Sequence, residues 1–182
     1  HDLAAVSVDD LLARDDVDIV HLATPPFTHH ELVLKAIEAG KHVLCEKPLA
    51  VTVPEGQEMV RAAKEADRIL AVNLIMRFDP LIQAVERIIG ERMLGEPLHG
   101  FVENYAQDAD LLPEHWFWDA EKSGGIFVEH GVHFFDLFEM WFGEGRFMAG
   151  QHGQRRQTGM YEQVQATVCY ENDVLVNFYH GF

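Results

Sequence analysis

Positive charge is what this chain has least of: 14 lysines and arginines stand against 30 aspartates and glutamates, a formal net charge of -16. That balance argues against a nucleic-acid partner, which needs clustered basic side chains to replace phosphate counterions. An anionic cofactor would also meet an unfavourable overall field. It would have to be held locally, by helix N-termini and backbone amides. No apolar run approaches the roughly 18 residues of a membrane span, so no membrane partner is expected. Cysteine is scarce too. Cys45 and Cys169 lie far apart without a Cys-x-x-Cys spacing, which reads as two buried thiols in a reducing compartment. With no Asn-x-Ser/Thr acceptor and no secretory signal, a cytoplasmic protein is expected. A glycine-rich dinucleotide fingerprint is also missing, because Gly143-Glu-Gly145 follows a helical pattern and lacks the third glycine. The chain opens at His1 rather than Met and stops just after an apolar strand pattern. Both ends read as cut.

What is present is an ordinary apolar share of 48% over 182 residues, enough for one large domain or parts of two. A short helix over about Val8–Arg14 precedes Asp18-Ile-Val-His-Leu-Ala-Thr24, a nearly continuous apolar run of the kind a buried parallel strand shows. Pro25-Pro26 ends it. Thr28 with Glu31 three places on predicts a capping box for a helix burying Leu32, Val33, Ala36, Ile37 and Ala39, with Gly40 as its stop. A second strand, His42–Glu46, ends at Lys47-Pro48. A helix over about Pro54–Ala66 and a third strand, Ile69–Leu74, complete a βαβαβ unit. Right-handed crossovers make its strands parallel.

Beyond Arg77-Phe-Asp-Pro80 the texture changes, and a boundary near Met76 separates residues 1–76 from 77–182. An amphipathic helix (Leu81, Ile82, Val85, Ile88, Ile89) leads to a strand near Leu98–Ala106. The aromatic loop His115-Trp-Phe-Trp118 precedes a strongly apolar helix from about Gly125 to Phe142. Strands near Phe147–Gln151, Val164–Tyr170 and Val174–Tyr179 suit an antiparallel meander. The fold class is therefore α/β: half of a Rossmann-type parallel sheet, then an α+β domain with a mostly antiparallel open sheet.

In an open α/β sheet, ligands bind beyond the carboxyl ends of the strands. Thr24-Pro25-Pro26, Glu46-Lys47-Pro48 and the loop reaching Arg77 occupy that edge. A lysine there can stabilise a developing alkoxide, or it can merely pair with Glu46. On the apolar helix, Glu129, His133 and Asp136 fall within an arc of roughly 60° at about 100° per residue. Charged groups on a buried helix must face a partner, water or a ligand. His133 is suited to take a proton from an alcohol, with Glu129 orienting it. A satisfied core network and a metal site through Glu129 and His133 are the competing readings. Trp116 and Trp118 are candidate sugar-stacking rings or core. His29-His30 reads as a surface pair.

His42-Val-Leu-Cys-Glu46-Lys47-Pro48, preceded by Ala23-Thr24-Pro25-Pro26-Phe27-Thr28-His29, resembles the Glu-Lys-Pro segment of the glucose–fructose oxidoreductase / inositol dehydrogenase (Gfo/Idh/MocA) family. Ser123-Gly-Gly-Ile-Phe-Val-Glu129-His-Gly131-Val-His133-Phe-Phe-Asp136 is similar to that family's second signature. Arg77–Pro80 and Leu94-Gly95-Glu96 match landmarks between them. The resemblance implies hydride transfer between NAD or NADP and a hydroxyl-bearing carbon of a sugar, cyclitol or related polyol. It implies Lys47 on the reacting oxygen, His133 as acid/base and Glu129 as their carboxylate. Thr24, Pro25, His29, Glu46, Lys47, Pro48 and Arg77 would lie along the cofactor, and Trp118 and Asp136 beside the substrate. No metal is implied. A homodimer or homotetramer through the C-terminal sheet is expected. Two departures stand out: Glu129 where the family usually has aspartate, and no first βαβ with its glycine-rich turn. The isolated chain is therefore expected neither to bind cofactor tightly nor to turn over. The alternatives are a non-catalytic sugar-binding member and a metal-dependent lyase or hydrolase using Glu129 and His133.

Overall fold

The computed structural model describes residues 5–107, 111–154 and 160–182. The chain divides into two compact units, His1–Asn73 and Leu74–Phe182.

In the first unit, helix α1 (Val8–Leu12) starts at Ser7, whose hydroxyl accepts the Asp10 N–H. It leads to strand β1 (Ile19–Leu22), helix α2 (His29–Glu38), strand β2 (His42–Cys45), helix α3 (Val53–Glu65) and strand β3 (Leu70–Val72). The strands are parallel in the order β1-β2-β3, with Leu22 opposite Cys45 and Cys45 opposite Val72. All three are shorter than their apolar runs. Val20, Leu22, Val43 and Cys45 on one sheet face pack with Val33, Ala36 and Ile37 of α2 and Met59 and Ala63 of α3. Each large aliphatic side chain buried there contributes about 1.5–3 kcal/mol.

A capping box does form in this unit, but at Thr52 and Glu55 on α3. The expected Thr28–Glu31 box is absent. Pro26–Thr28 is already a 3-10 turn, so Thr28 has near-helical backbone instead of the extended geometry a capping residue needs. Its hydroxyl donates instead to the Pro25 carbonyl, and Glu31 pairs with Lys35.

The second unit opens on a 3-10 turn, Ile75–Phe78, and helix α4 (Pro80–Gly90). Strand β4 (His99–Tyr105), a 3-10 turn at Trp116–Trp118 and helix α5 (Ala120–Ser123) follow. A π-helical turn, Phe127–Gly131, runs into helix α6 (Val132–Phe142), and strands β5 (Gly145–Gly153), β6 (Gln163–Tyr170) and β7 (Leu175–Gly181) complete it. The sheet order is β4-β7-β6-β5. The meander β5-β6-β7 is antiparallel as expected, while β4 runs parallel to β7. Phe138 and Phe142 of α6 bury against Val168, Tyr170, Val176 and Phe178.

Two expectations are corrected here. The single α-helix over Gly125–Phe142 is interrupted by the π turn. Gly131 sits there so tightly that an added Cβ would lie 3.1 Å from both the Phe127 and Phe135 rings. The wider turn alters the 100° spacing on which the Glu129/His133/Asp136 stripe was drawn. Cys169 is only partly buried, unlike Cys45. Its strand position faces Arg146, away from α6.

Candidate active site

The carboxyl edge of the β1-β2-β3 sheet gathers six of the expected residues. Thr24 and Pro25 follow β1, and Glu46, Lys47 and Pro48 follow β2 through a cis Lys47-Pro48 peptide. His29, at the start of α2, joins the two loops. One ring nitrogen lies 2.9 Å from the Pro48 carbonyl oxygen and the other 2.8 Å from that of Thr24. The ring is fully buried. The surface reading of His29 is therefore overturned, and His30 alone reaches outward, to Glu58 at 2.9 Å. A second brace closes the first loop, where the Thr24 and Thr28 hydroxyls meet at 2.7 Å.

Glu46 is flanked from both neighbouring strands. Asn73, just past β3, donates its side-chain N–H to the carboxylate at 2.7 Å, and His21 on β1 lies 3.2 Å away. The Asn73 hydrogen bond, with a smaller contribution from His21, holds the Glu46 carboxyl below the usual range. It is an ionised acceptor at the sheet edge. Beneath it, burial pushes the Cys45 thiol up to about 12, an inert core group.

In the second unit, Ser123 and Gly124 set the entry to the signature helix. The Ser123 hydroxyl accepts the Gly125 N–H at 3.0 Å, and Gly124 adopts the left-handed region at φ 75°. Glu129 on the π turn pairs with its neighbour His130 at 2.8 Å. The His130 ring lies 5.3 Å from Phe117. His133 occupies the first turn of α6. Asp136, one turn on, receives a two-pronged contact from Arg77, Nε to Oδ2 at 2.7 Å and Nη2 to Oδ1. The expected cofactor residue Arg77 and the expected substrate residue Asp136 thus hold each other. Trp118 is buried with Phe117, Ile126 and Met160. Its indole N–H donates to the Leu112 carbonyl at 3.0 Å, and its exposed edge borders a cavity of about 500 Å³ shared with His115, Trp116 and Asp119.

The arrangement includes residues that sequence reasoning passed over. Asn73 and His21 share the strand-edge logic that singled out Glu46, so their signal was legible. His180 gave none. It is fully buried on β7 between the Phe127 and Phe134 rings, neither ring nitrogen has a hydrogen-bond partner among the described residues, and burial pushes it down to about 4. Among the described residues, no group of three or more histidine, cysteine or carboxylate side chains could hold a metal ion. The metal-dependent alternative thus lacks a ligand set there. No helix among them is long and apolar enough to cross a membrane.

Comparison with known proteins adds three findings. Residues 2–74 match the family model described as oxidoreductase family, NAD-binding Rossmann fold, and residues 82–182 match the GFO/IDH/MocA C-terminal domain. The 1,5-anhydro-D-fructose reductase of Ensifer adhaerens is 33% identical over 98% of this chain and 55% of its own length. Two solved structures share the fold. Myo-inositol 2-dehydrogenase from Lactobacillus plantarum has a TM-score of 0.87 at 22% identity, over 97% of this chain and 54% of that one. A Bordetella pertussis dehydrogenase in complex with NADH and UDP-GlcNAcA has a TM-score of 0.87 at 24% identity, over 96% and 51%. The chain thus spans about half the length of these relatives.

Proposed function

This chain belongs to the GFO/IDH/MocA oxidoreductase family, and on that premise we propose that the complete protein transfers a hydride between NAD(P) and a hydroxyl-bearing carbon of a sugar, cyclitol or related polyol. The observation that carries the reading is the edge of the parallel sheet. Lys47 stands directly after a buried strand, in a loop that His29 ties to the loop after β1. The names of the relatives, a sugar reductase and an inositol dehydrogenase, support the substrate class.

The residues at that edge fit a dinucleotide. The ionised Glu46 carboxylate is an acceptor suited to ribose hydroxyls. NAD(P), when bound, supplies or accepts the hydride. The Lys47 ammonium binds the oxygen on the reacting carbon and stabilises its negative charge. His133 takes the hydroxyl proton in oxidation and returns it in reduction. Glu129, one turn before His133 in sequence, pairs with His130 and is the carboxylate of this proton-handling group in the present reading. Trp118 borders the cavity in which a sugar face would stack.

Copies of the chain associate, in this reading, through the sheet face turned away from α6. Phe101 and Tyr105 of β4 are exposed there, in register with Asn177 and Gly181, and Leu175 shares that face. Aspartate in place of Phe101 and Tyr105 should lower the mass measured by light scattering to that of a monomer.

The test of function is nicotinamide fluorescence with the complete protein, followed by turnover on a panel of sugars and cyclitols. Binding of NAD or NADP is expected. Lys47→Met should keep that binding and lose about 10²–10³ in kcat. Sugar binding without cofactor binding would replace the proposal with the non-catalytic reading.

A further inference from the structure

Helix α6 is apolar almost all round, and its rings pack against the sheet, Phe138 on Phe178 and Phe142 on Tyr170 edge-on and Phe135 on Phe178 tilted. Dispersion contacts of this kind hold a helix down but are only weakly directional. The Arg77–Asp136 contact differs, because a guanidinium fork meeting both carboxylate oxygens fixes a plane as well as a distance. Asp136 lies three residues after His133, on the same side of the helix. Its side chain is 12% exposed, against 43% for Arg77. Arg77 is itself anchored, in the 3-10 turn that ends at Asp79, whose carboxylate caps α4 by accepting the Leu81 N–H at 2.7 Å.

We infer that Arg77 and Asp136 form a positioning pair that sets the rotation of α6, and with it the presentation of His133. This rests on the reading of His133 as the acid/base. The π turn supports the inference, since it lies directly upstream of His133 and leaves the rotation of α6 to be fixed from downstream. So does the charge around Arg77. Asp136 first, then Glu139 on α6 and Glu86 on α4, raise its pKa, so the guanidinium is already neutralised by its own fold. A phosphate of the cofactor would have to compete with a two-pronged carboxylate for it. The lever is simple. A side-chain tip stands about 5–6 Å from the helix axis, so a rotation of about 10° moves it by roughly 1 Å. A displacement of that size can cost about 10²-fold in rate.

The experiment uses the complete protein with four variants: Arg77→Met, Arg77→Lys, Asp136→Asn, and Arg77→Met with Asp136→Asn. Steady-state kinetics, nicotinamide fluorescence binding, thermal midpoints and the NMR signals of the His133 ring are read for each. The pair predicts that Arg77→Met and Asp136→Asn each lower kcat about 10–100-fold, with KM and cofactor Kd changed less than about twofold. The double variant should be no worse than the poorer single one. Arg77→Lys, which keeps the charge but not the fork, should fall between wild type and Arg77→Met. In both single variants the His133 ring signals should shift alike while those of His42 stay. The inference is overturned if Arg77→Met weakens cofactor binding tenfold and Asp136→Asn does not, for Arg77 is then a cofactor contact. It is also overturned if Asp136→Asn raises the sugar KM at unchanged kcat, or if only thermal midpoints fall. Wild-type protein without turnover, but with paired shifts at His133, would keep the positioning and discard the oxidoreductase reading.

Discussion

Nineteen residues of chain separate His29 from Pro48, yet an imidazole nitrogen of one lies 2.9 Å from the carbonyl oxygen of the other. The opposite edge of the same ring meets the Thr24 carbonyl, so one buried side chain spans the loops after two parallel strands. Replacing His29 with alanine removes the ring and the N–H that a neutral imidazole supplies to one of the two carbonyls. The expected cost is about 3 kcal/mol, from the cavity and the lost hydrogen bond together. Calorimetry should show a thermal midpoint lower by about 6–12 °C, and cofactor affinity should fall with it. An unchanged midpoint would mean that the two loops are held by something else.

His180 makes stability depend on pH. Its pKa is pushed down to about 4, mainly by burial and next by His130, against about 6.5 in the unfolded chain. Between these values the unfolded state binds a proton that the folded state refuses, so stability is complete above pH 6.5 and declines as pH falls toward 4. The steepest slope is about 1.4 kcal/mol per pH unit. Denaturant titrations at pH 7, 6 and 5 should show this component, and His180→Phe should remove it. Because the imidazole nitrogens have no partners, the phenylalanine variant should also be as stable as wild type, or more so, at pH 7. A variant much less stable at pH 7 would contradict the account.

Gly124 adopts a left-handed conformation that most residue types avoid. At φ 75° an added Cβ would stand 2.7 Å from the Val128 side chain. Gly124→Ala therefore combines left-handed strain with a clash at the mouth of the π turn. A loss of about 2–3 kcal/mol is expected, with hydrogen exchange accelerated over Phe127–Gly131. Protection equal to wild type across that turn would refute it.

Glu46 accepts from Asn73 on Oε1, the oxygen that His21 also approaches, and an amide in its place can keep its oxygen at that point. Glu46→Gln should leave the fold intact, because the amide can still satisfy both neighbours. It removes the negative charge, so nicotinamide binding should weaken by about tenfold if the carboxylate meets ribose hydroxyls. Isothermal calorimetry with NAD and NADP reads this directly, and unchanged affinity would remove Glu46 from the cofactor residues.

Much of this was legible in the linear chain because it depends on neighbours along it. Val33, Ala36 and Ile37 fall at i, i+3 and i+4, and they are buried on α2 as that spacing requires. The apolar runs before Pro25 and Lys47-Pro48 became strands, and the crossover through α2 made them parallel. Local rules failed where a longer-range demand competed. Thr28 had the sequence of a capping residue, but the turn made by Pro25 and Pro26 took its hydroxyl first. The signature segment looked like one regular helix, but a π turn interrupts it, ending at Gly131 where the Phe127 and Phe135 rings press close.

The sequence by itself determined the parallel βαβαβ order, the antiparallel meander and the placing of Lys47 at a strand edge, since periodicity and proline position act over a few residues. Only the tertiary structure decided that His29 is a buried brace, that Glu46 is held between Asn73 and His21, that Arg77 belongs to Asp136, and that His180 lies without partners in the core. These are pairings that reach across up to 59 residues of chain or burials by distant rings. A directional bond between two distant side chains leaves no periodic trace in the sequence that makes it.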